Sequence, residues 1–154
     1  MTTTANATDT QAPPTQVYQV FIKSSPERIW DAITTPEFTA KYFHGARITV
    51  TNSHYHSIGT DDSTWGDSAV LEWDPPRRLV HGWRSLYDPE MAAEPESRVT
   101  WEIEPGDGGI CQLTVIHDQL EHSPQTAGSV YGRGWMFVLS GLKTLLETGE
   151  PLSS

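Results

Sequence analysis

Residues Tyr131 to Glu147, YGRGWMFVLSGLKTLLE, constrain the fold more than any other stretch of this chain. The large apolar residues Trp135, Val138, Leu139, Leu142, Leu145 and Leu146 recur at the spacing of one broad stripe on a 3.6-residue helix. Ser140, Lys143, Thr144 and Glu147 fall on the opposite side. Gly149 and Pro151 then end the helix, as a C-terminal glycine followed by proline should. A helix of this kind needs an apolar surface to lie on, and the rest of the chain reads mainly as strands.

The stretch VYQVFIK, Val17 to Lys23, is β-branched and aromatic and predicts a first strand. Ser25 and Pro26 predict a capped helix over Pro26 to Ile33, with Ile29, Trp30 and Ile33 inward. Thr35-Pro36 repeats the device for a second short helix that turns Phe38 and Tyr42 inward and ends at Phe43-His44-Gly45. Strands follow at Ala46 to Asn52, Tyr55 to Gly59, Trp65 to Trp73, Leu79 to Tyr87, Arg98 to Glu104 and Ile110 to His117. Turns at Asp74-Pro75-Pro76-Arg77 and Pro105 to Gly109, and a polar loop from Asp88 to Glu96, separate them. Asp118 to Gly128 reads as a link to the last helix. Consecutive strands joined by short turns favour an antiparallel meander, so the expected class is α+β. Residues 1–16 carry no large apolar side chain and read as a disordered tail, with one domain over 17–149 and a short tail at 150–154.

The net charge of −10 comes without a basic cluster, which argues against nucleic acid and against an anionic membrane surface as partners. No apolar run approaches the roughly 20 residues of a spanning helix, and no secretory signal is visible. Cys111 is the single cysteine, which fits a reducing cytoplasm.

Five segments in this order carry a resemblance: SSPERIWDAITTPEFTAKYF (24–43), VLEWDPPRRLVHGW (70–83), SRVTWEIEP (97–105), LTVIHDQL (113–120) and GWMFVLSGLKTLLETG (134–149). They resemble the activator of heat-shock-protein-90 ATPase homologue-like family of the START-like, SRPBCC superfamily, over nearly all of Val17 to Gly149. The resemblance implies the helix-grip fold: a curved antiparallel sheet of six to seven strands around the long C-terminal helix, with two short helices after strand 1. It also implies an apolar cavity between sheet and helix, as many relatives have; no cofactor is expected. The superfamily includes ligand carriers, polyketide cyclases and aromatases, and chaperone-associated domains, so the function has to come from the site.

Alternation groups Leu79, His81 and Trp83, Val99 and Trp101, and Leu113, Val115 and His117 each on one face of its strand, without fixing which face of the sheet His81 and His117 occupy. With the implied cavity, the ligand-binding expectation is Trp30, Phe38, Tyr42, Phe43, His81, Trp83, Trp101, Leu113, Val115, His117, Trp135, Leu139 and Leu142. Gly132 and Gly134 would mark the entrance, and Leu145 and Leu146 would be plain core. His81 and His117 are the candidates for acid–base work, set against the commoner role of buried, hydrogen-bonded histidines. The family's pattern usually has an apolar or aromatic residue where His81 stands. Arg84 and Arg98 could meet an acidic ligand group, or be solvated surface arginines. His54 and His56 are spaced to share a strand face, but a zinc site needs further ligands and no motif fixes one among Asp61, Asp62 and Asp67, so no metal is expected. No nucleophile motif occurs.

The expected function is therefore binding of a small hydrophobic or aromatic molecule. A cyclase- or aromatase-like enzyme using the same cavity is the alternative, and a chaperone-interacting module is a third. The family's name derives from a larger protein with a separate N-terminal domain, for which 154 residues leave no room. A homodimer through an exposed sheet edge is compatible with the sequence.

Overall fold

The computed structural model describes residues 12–153. Of the tail expected over residues 1–16, residues 1–11 lie outside them. Strand β1 (Gln16–Lys23) leads into helices α1 (Pro26–Thr34) and α2 (Pro36–Tyr42). Strands β2 (Arg47–Val50), β3 (His54–Ile58), β4 (Thr64–Asp74) and β5 (Arg78–Trp83) follow. Then come the short helix α3 (Pro89–Ala92), strands β6 (Ser97–Pro105) and β7 (Ile110–Asp118), and helices α4 (Pro124–Val130) and α5 (Arg133–Thr148). All seven strands form one curled antiparallel sheet in the order β1-β7-β6-β5-β4-β3-β2. This is the helix-grip architecture, with α5 as the gripped helix.

Local signals explain most of the elements. The Ser25 hydroxyl accepts from Arg28 N at 3.2 Å, and Pro26 sits in the first turn of α1. Thr35 works differently from its expected capping role. Its hydroxyl donates back to Asp31 O at 2.7 Å and makes no cap bond to α2. Thr35 is the C-cap of one helix and the N-cap of the next, and the orphan carbonyl of α1 claims its hydroxyl. The chain is already engaged before β1. Gln16 is buried and its side-chain amide donates to Pro13 O and Ala127 O, while Leu120 N donates to Pro14 O.

Two differences from the sequence reading bear on the site. The strand expected to run to Tyr87 stops at Trp83, and α3 forms in what reads as a polar loop, capped by the Asp88 carboxylate. The link before the last helix contains α4, PQTAGSV, whose composition gives no apolar stripe to announce it. Tyr131 lies outside α5, which starts after Gly132 (φ +56°) and ends at Gly149 in the left-handed region.

The placement of α5 over the sheet is asymmetric. Its most extensive backbone approaches are to β1, α2, α4 and α1. Gly141 sits against Tyr42, and a Cβ there would be 3.1 Å from Tyr42 Cβ, so the glycine lets α5 and α2 come together. Ile22, Ile29, Leu113, Val115, Leu142, Leu145 and Leu146 belong to one buried cluster around this part of the helix. On the β3–β4 side the sheet curls away from the helix, and large aromatic side chains span the distance.

Candidate functional site

A cavity of about 400 Å³ lies in that wider space. The sheet supplies Tyr55 and Ser57 from β3, Trp65 and Gly66 from β4, and Trp83 from the end of β5. Arg84, Ser85 and Tyr87 follow directly after β5. Phe43, His44 and Ala46, after α2, close one side. Ser129 and Val130 of α4, with Gly134, Trp135 and Val138 of α5, close the other. Strand alternation explains β3: Tyr55 and Ser57 are buried, and their neighbours His54 and His56 face outward. The small residues Ser57 and Gly66 leave the volume unfilled where larger side chains would enter it, whereas Gly134 lets α5 start close to the Ser129 carbonyl. Gly59 has a further role. A Cβ there would overlap the Trp65 indole, so glycine is needed for that ring to take its place in the wall.

The wall is an aromatic box. Ring centroids of Phe43 and Trp135 are 6.0 Å apart, those of Trp83 and Trp135 5.9 Å, those of Phe43 and Trp83 6.2 Å, and those of Tyr55 and Trp83 6.1 Å. Such surfaces offer much apolar area with few polar handles. Burial holds the Tyr55 phenol well above its ordinary pKa, so it stays neutral. The polar groups of the lining are few. Ser85 accepts from Trp83 Nε1 at 3.2 Å. Arg84 is half-buried, its Nε is shielded from solvent without a hydrogen-bond partner, and no ion pair among the described residues includes it. Arg98, by contrast, is forked onto Asp118 at 2.9 and 2.7 Å, which raises its pKa further and leaves it committed.

Behind this wall the two inward histidines are locked. Trp101 Nε1 donates to His81 Nε2 at 3.0 Å, and His81 Nδ1 donates to Gly82 O at 2.7 Å. Trp135 Nε1 donates to His117 Nδ1 at 3.1 Å, and His117 Nε2 lies 2.8 Å from Ser97 Oγ. Indole N–H groups can only donate, so each ring must present one bare nitrogen and carry its proton on the other. Both histidines are fully buried. Desolvation lowers the pKa of His81 to about 4. Desolvation first, and then the neighbouring His81, lower that of His117 to about 3. Each is a neutral ring with both nitrogens engaged. Tyr55 stacks on His81 with centroids 4.1 Å apart and so screens it from the cavity side.

The residues expected to bind ligand thus separate into groups. Phe43, Trp83 and Trp135 line the cavity together. His81, Trp101 and His117 form the hydrogen-bonded layer behind it. Leu113, Val115, Leu139 and Leu142 sit in the buried cluster and are not part of the lining. Tyr42 donates to Ala32 O at 2.7 Å, and Trp30 packs edge-on against Trp73 at 5.0 Å, both away from the cavity. Phe38 is half-buried against the same cluster. The sequence reading missed Tyr55, Ser57, Trp65 and Val138, and left Arg84 between a ligand contact and a solvated surface residue. Alternation along HYHSI carried the signal for the first two, and the stripe of α5 carried it for Val138. Trp65 and Arg84 depend on how far the sheet curls, which no local pattern encodes.

The sequence profile of the family described as Activator of Hsp90 ATPase homolog 1-like protein matches residues 23–147. Protein MLL2253 from Mesorhizobium loti is 21% identical over 86% of this chain and 96% of its own, with a TM-score of 0.70. DynU16, described as a putative protein in the dynemicin biosynthetic locus, is 22% identical over 90% of this chain and 49% of its own, with a TM-score of 0.71. The Aha1 dimer from Colwellia psychrerythraea is 18% identical over 88% and 97%, with a TM-score of 0.66. These likenesses show a shared fold. No functionally curated protein matches the chain.

Proposed function

The chain belongs to the Activator of Hsp90 ATPase homolog 1-like family, and from that premise we propose that it binds a small, mainly aromatic or apolar molecule in the cavity beneath the start of α5. The observation that carries this reading is the cavity itself. About 400 Å³ lined by Phe43, Tyr55, Trp65, Trp83 and Trp135 is in the size range of small-ligand sites. A protein-interaction module has no need of such a space. Arg84 gives the ligand a polar end. A guanidinium nitrogen shielded from water and without a partner is costly, and a carboxylate or phenolate on the ligand would offset that cost. The preferred ligand is therefore an aromatic acid or a related amphiphile. A cyclase-like reaction in the same space would have to take its acid and base from groups other than His81 and His117, whose nitrogens are all engaged.

Three tryptophans in the wall supply the readout. Titration of the purified protein with aromatic carboxylates, and with their neutral amides or esters, should quench tryptophan fluorescence saturably and raise the melting temperature. Arg84→Met should weaken the acids at least tenfold and leave the neutral analogues within about twofold, as expected for loss of a charge-assisted contact. A panel that gives no saturable quenching, together with nothing co-purifying in native mass spectrometry, would sink the binding reading. Equal loss of acids and amides in Arg84→Met would sink the assignment of the polar end alone.

A further inference from the structure

We propose that His54, His56 and Asp67, on the outer face of β3 and β4, form a binding site for a divalent transition-metal ion of the zinc(II) type. The two histidines alternate with Tyr55 on one strand, so both rings leave the sheet on the side away from the cavity. Asp67 is the residue of β4 directly opposite His56, and its carboxylate also meets His54 Nε2 diagonally. One ligand atom from each of the three lies within 4.8 Å of the others. The imidazoles are stacked with centroids 6.2 Å apart, one residue pair along the strand.

Bonds of about 2.0–2.2 Å in a tetrahedral zinc centre place ligand atoms about 3.4 Å apart, so modest side-chain rotation converts the cluster into a three-ligand site. The fourth position would hold water. Two imidazoles and a carboxylate suit zinc, copper or nickel, and not magnesium or calcium, which prefer oxygen ligands. The flanking positions suit an accessible ion. Across the ladder His56 faces the exposed Thr49 and His54 faces the exposed Ala69, both small. Among the described residues no lysine or arginine is ion-paired to Asp67, whose partner is His54. A net charge of −10 favours cation uptake in general. An ion held here would clip β3 to β4. The opposite face of those strands carries Tyr55, Ser57 and Gly66 of the cavity wall, so the clip would stiffen that part of the wall.

The test uses tag-free, full-length protein titrated with zinc chloride. Calorimetry should show one equivalent bound, the melting temperature should rise with zinc, and magnesium should do neither. His56→Ala removes one ligand and leaves the His54–Asp67 contact. Asp67→Asn keeps the shape of the side chain and removes its charge. Each should weaken zinc at least tenfold and abolish the thermal shift, while His122→Ala, at an exposed position elsewhere, should bind as the unmodified protein does. Imidazole ¹H–¹⁵N signals of His54 and His56 should move on zinc addition. No saturable uptake, or full-strength uptake in both His56→Ala and Asp67→Asn, would overturn the site.

Discussion

From Leu139 to Leu146, α5 presents branched side chains to a buried cluster that includes Leu113, Val115, Ile22 and Ile29. From Gly134 to Val138 the same helix presents one indole, one glycine and one valine to a cavity of about 400 Å³. The two halves share one amphipathic stripe, so the helix does not account for the difference. What differs is the distance the sheet leaves. Gly141 draws the later half tight against Tyr42, whereas β3 and β4 curl away from the earlier half and carry small residues at Ser57 and Gly66. Trp135 stands at the boundary. Its ring faces the cavity and its N–H is bonded to His117 in the layer behind. A fold of this type is therefore close-packed where it must be stable and open where small side chains meet a wide span.

The largest effect should come from the boundary itself. Trp135→Ala removes a buried indole and leaves His117 Nδ1 without its donor, and we expect a loss of about 4 kcal/mol or more in urea unfolding. Trp135→Phe keeps much of the ring and should still cost about 1–3 kcal/mol, because the lone pair of His117 is stranded. If the phenylalanine variant were as stable as the parent, the hydrogen-bonded layer would not be holding the two halves together.

Next in size is the response to acid. His81 and His117 are neutral in the folded protein, with pKa values near 4 and 3, against about 6.5 in an unfolded chain. Below pH 6.5 the unfolded state takes up protons that the folded state refuses, so stability is full above that pH and falls as the pH drops toward 4. Between pH 7 and pH 5 the loss should be roughly 2 kcal/mol per histidine. Comparison of unfolding midpoints for the parent and His81→Leu at both pH values checks this. The variant should be the less stable at pH 7 yet show the shallower pH dependence. An equally steep profile would assign the acid sensitivity to the carboxylates instead.

Filling the open half should change function more than stability. Gly66→Val places two methyl groups in the cavity, where a Cβ already makes ordinary contacts at 3.4 Å to Ser57 and 3.5 Å to Tyr55. Stability should move by less than about 1 kcal/mol, and the fluorescence response to aromatic acids should disappear. Unchanged ligand binding in this variant would place the ligand elsewhere. The smallest expected effect lies on neither half. Arg98→Gln breaks the partly exposed fork onto Asp118 on the sheet and should cost about 1 kcal/mol or less.

Periodicity in the sequence was enough to define α5, the short helices after β1 and the antiparallel strands, because each of these depends on neighbours two to four residues away. Strand alternation put His81 and His117 on a shared face with apolar neighbours, but their inward direction came only with the folded sheet. So did their condition. Whether a buried imidazole is a free base or a closed hydrogen-bonded ring depends on Trp101 and Trp135, which come from different elements. The sequence contains the His54–His56 pair, but Asp67 joins it only through the register between β3 and β4. The cavity is the clearest case. Its aromatic residues could be named as a class from composition and resemblance, yet its position beneath Gly134 and Trp135, rather than beneath Leu139 and Leu142, follows from how far the sheet curls. Curl accumulates over seven strands and is set by packing at both ends, so no local stretch of sequence encodes it.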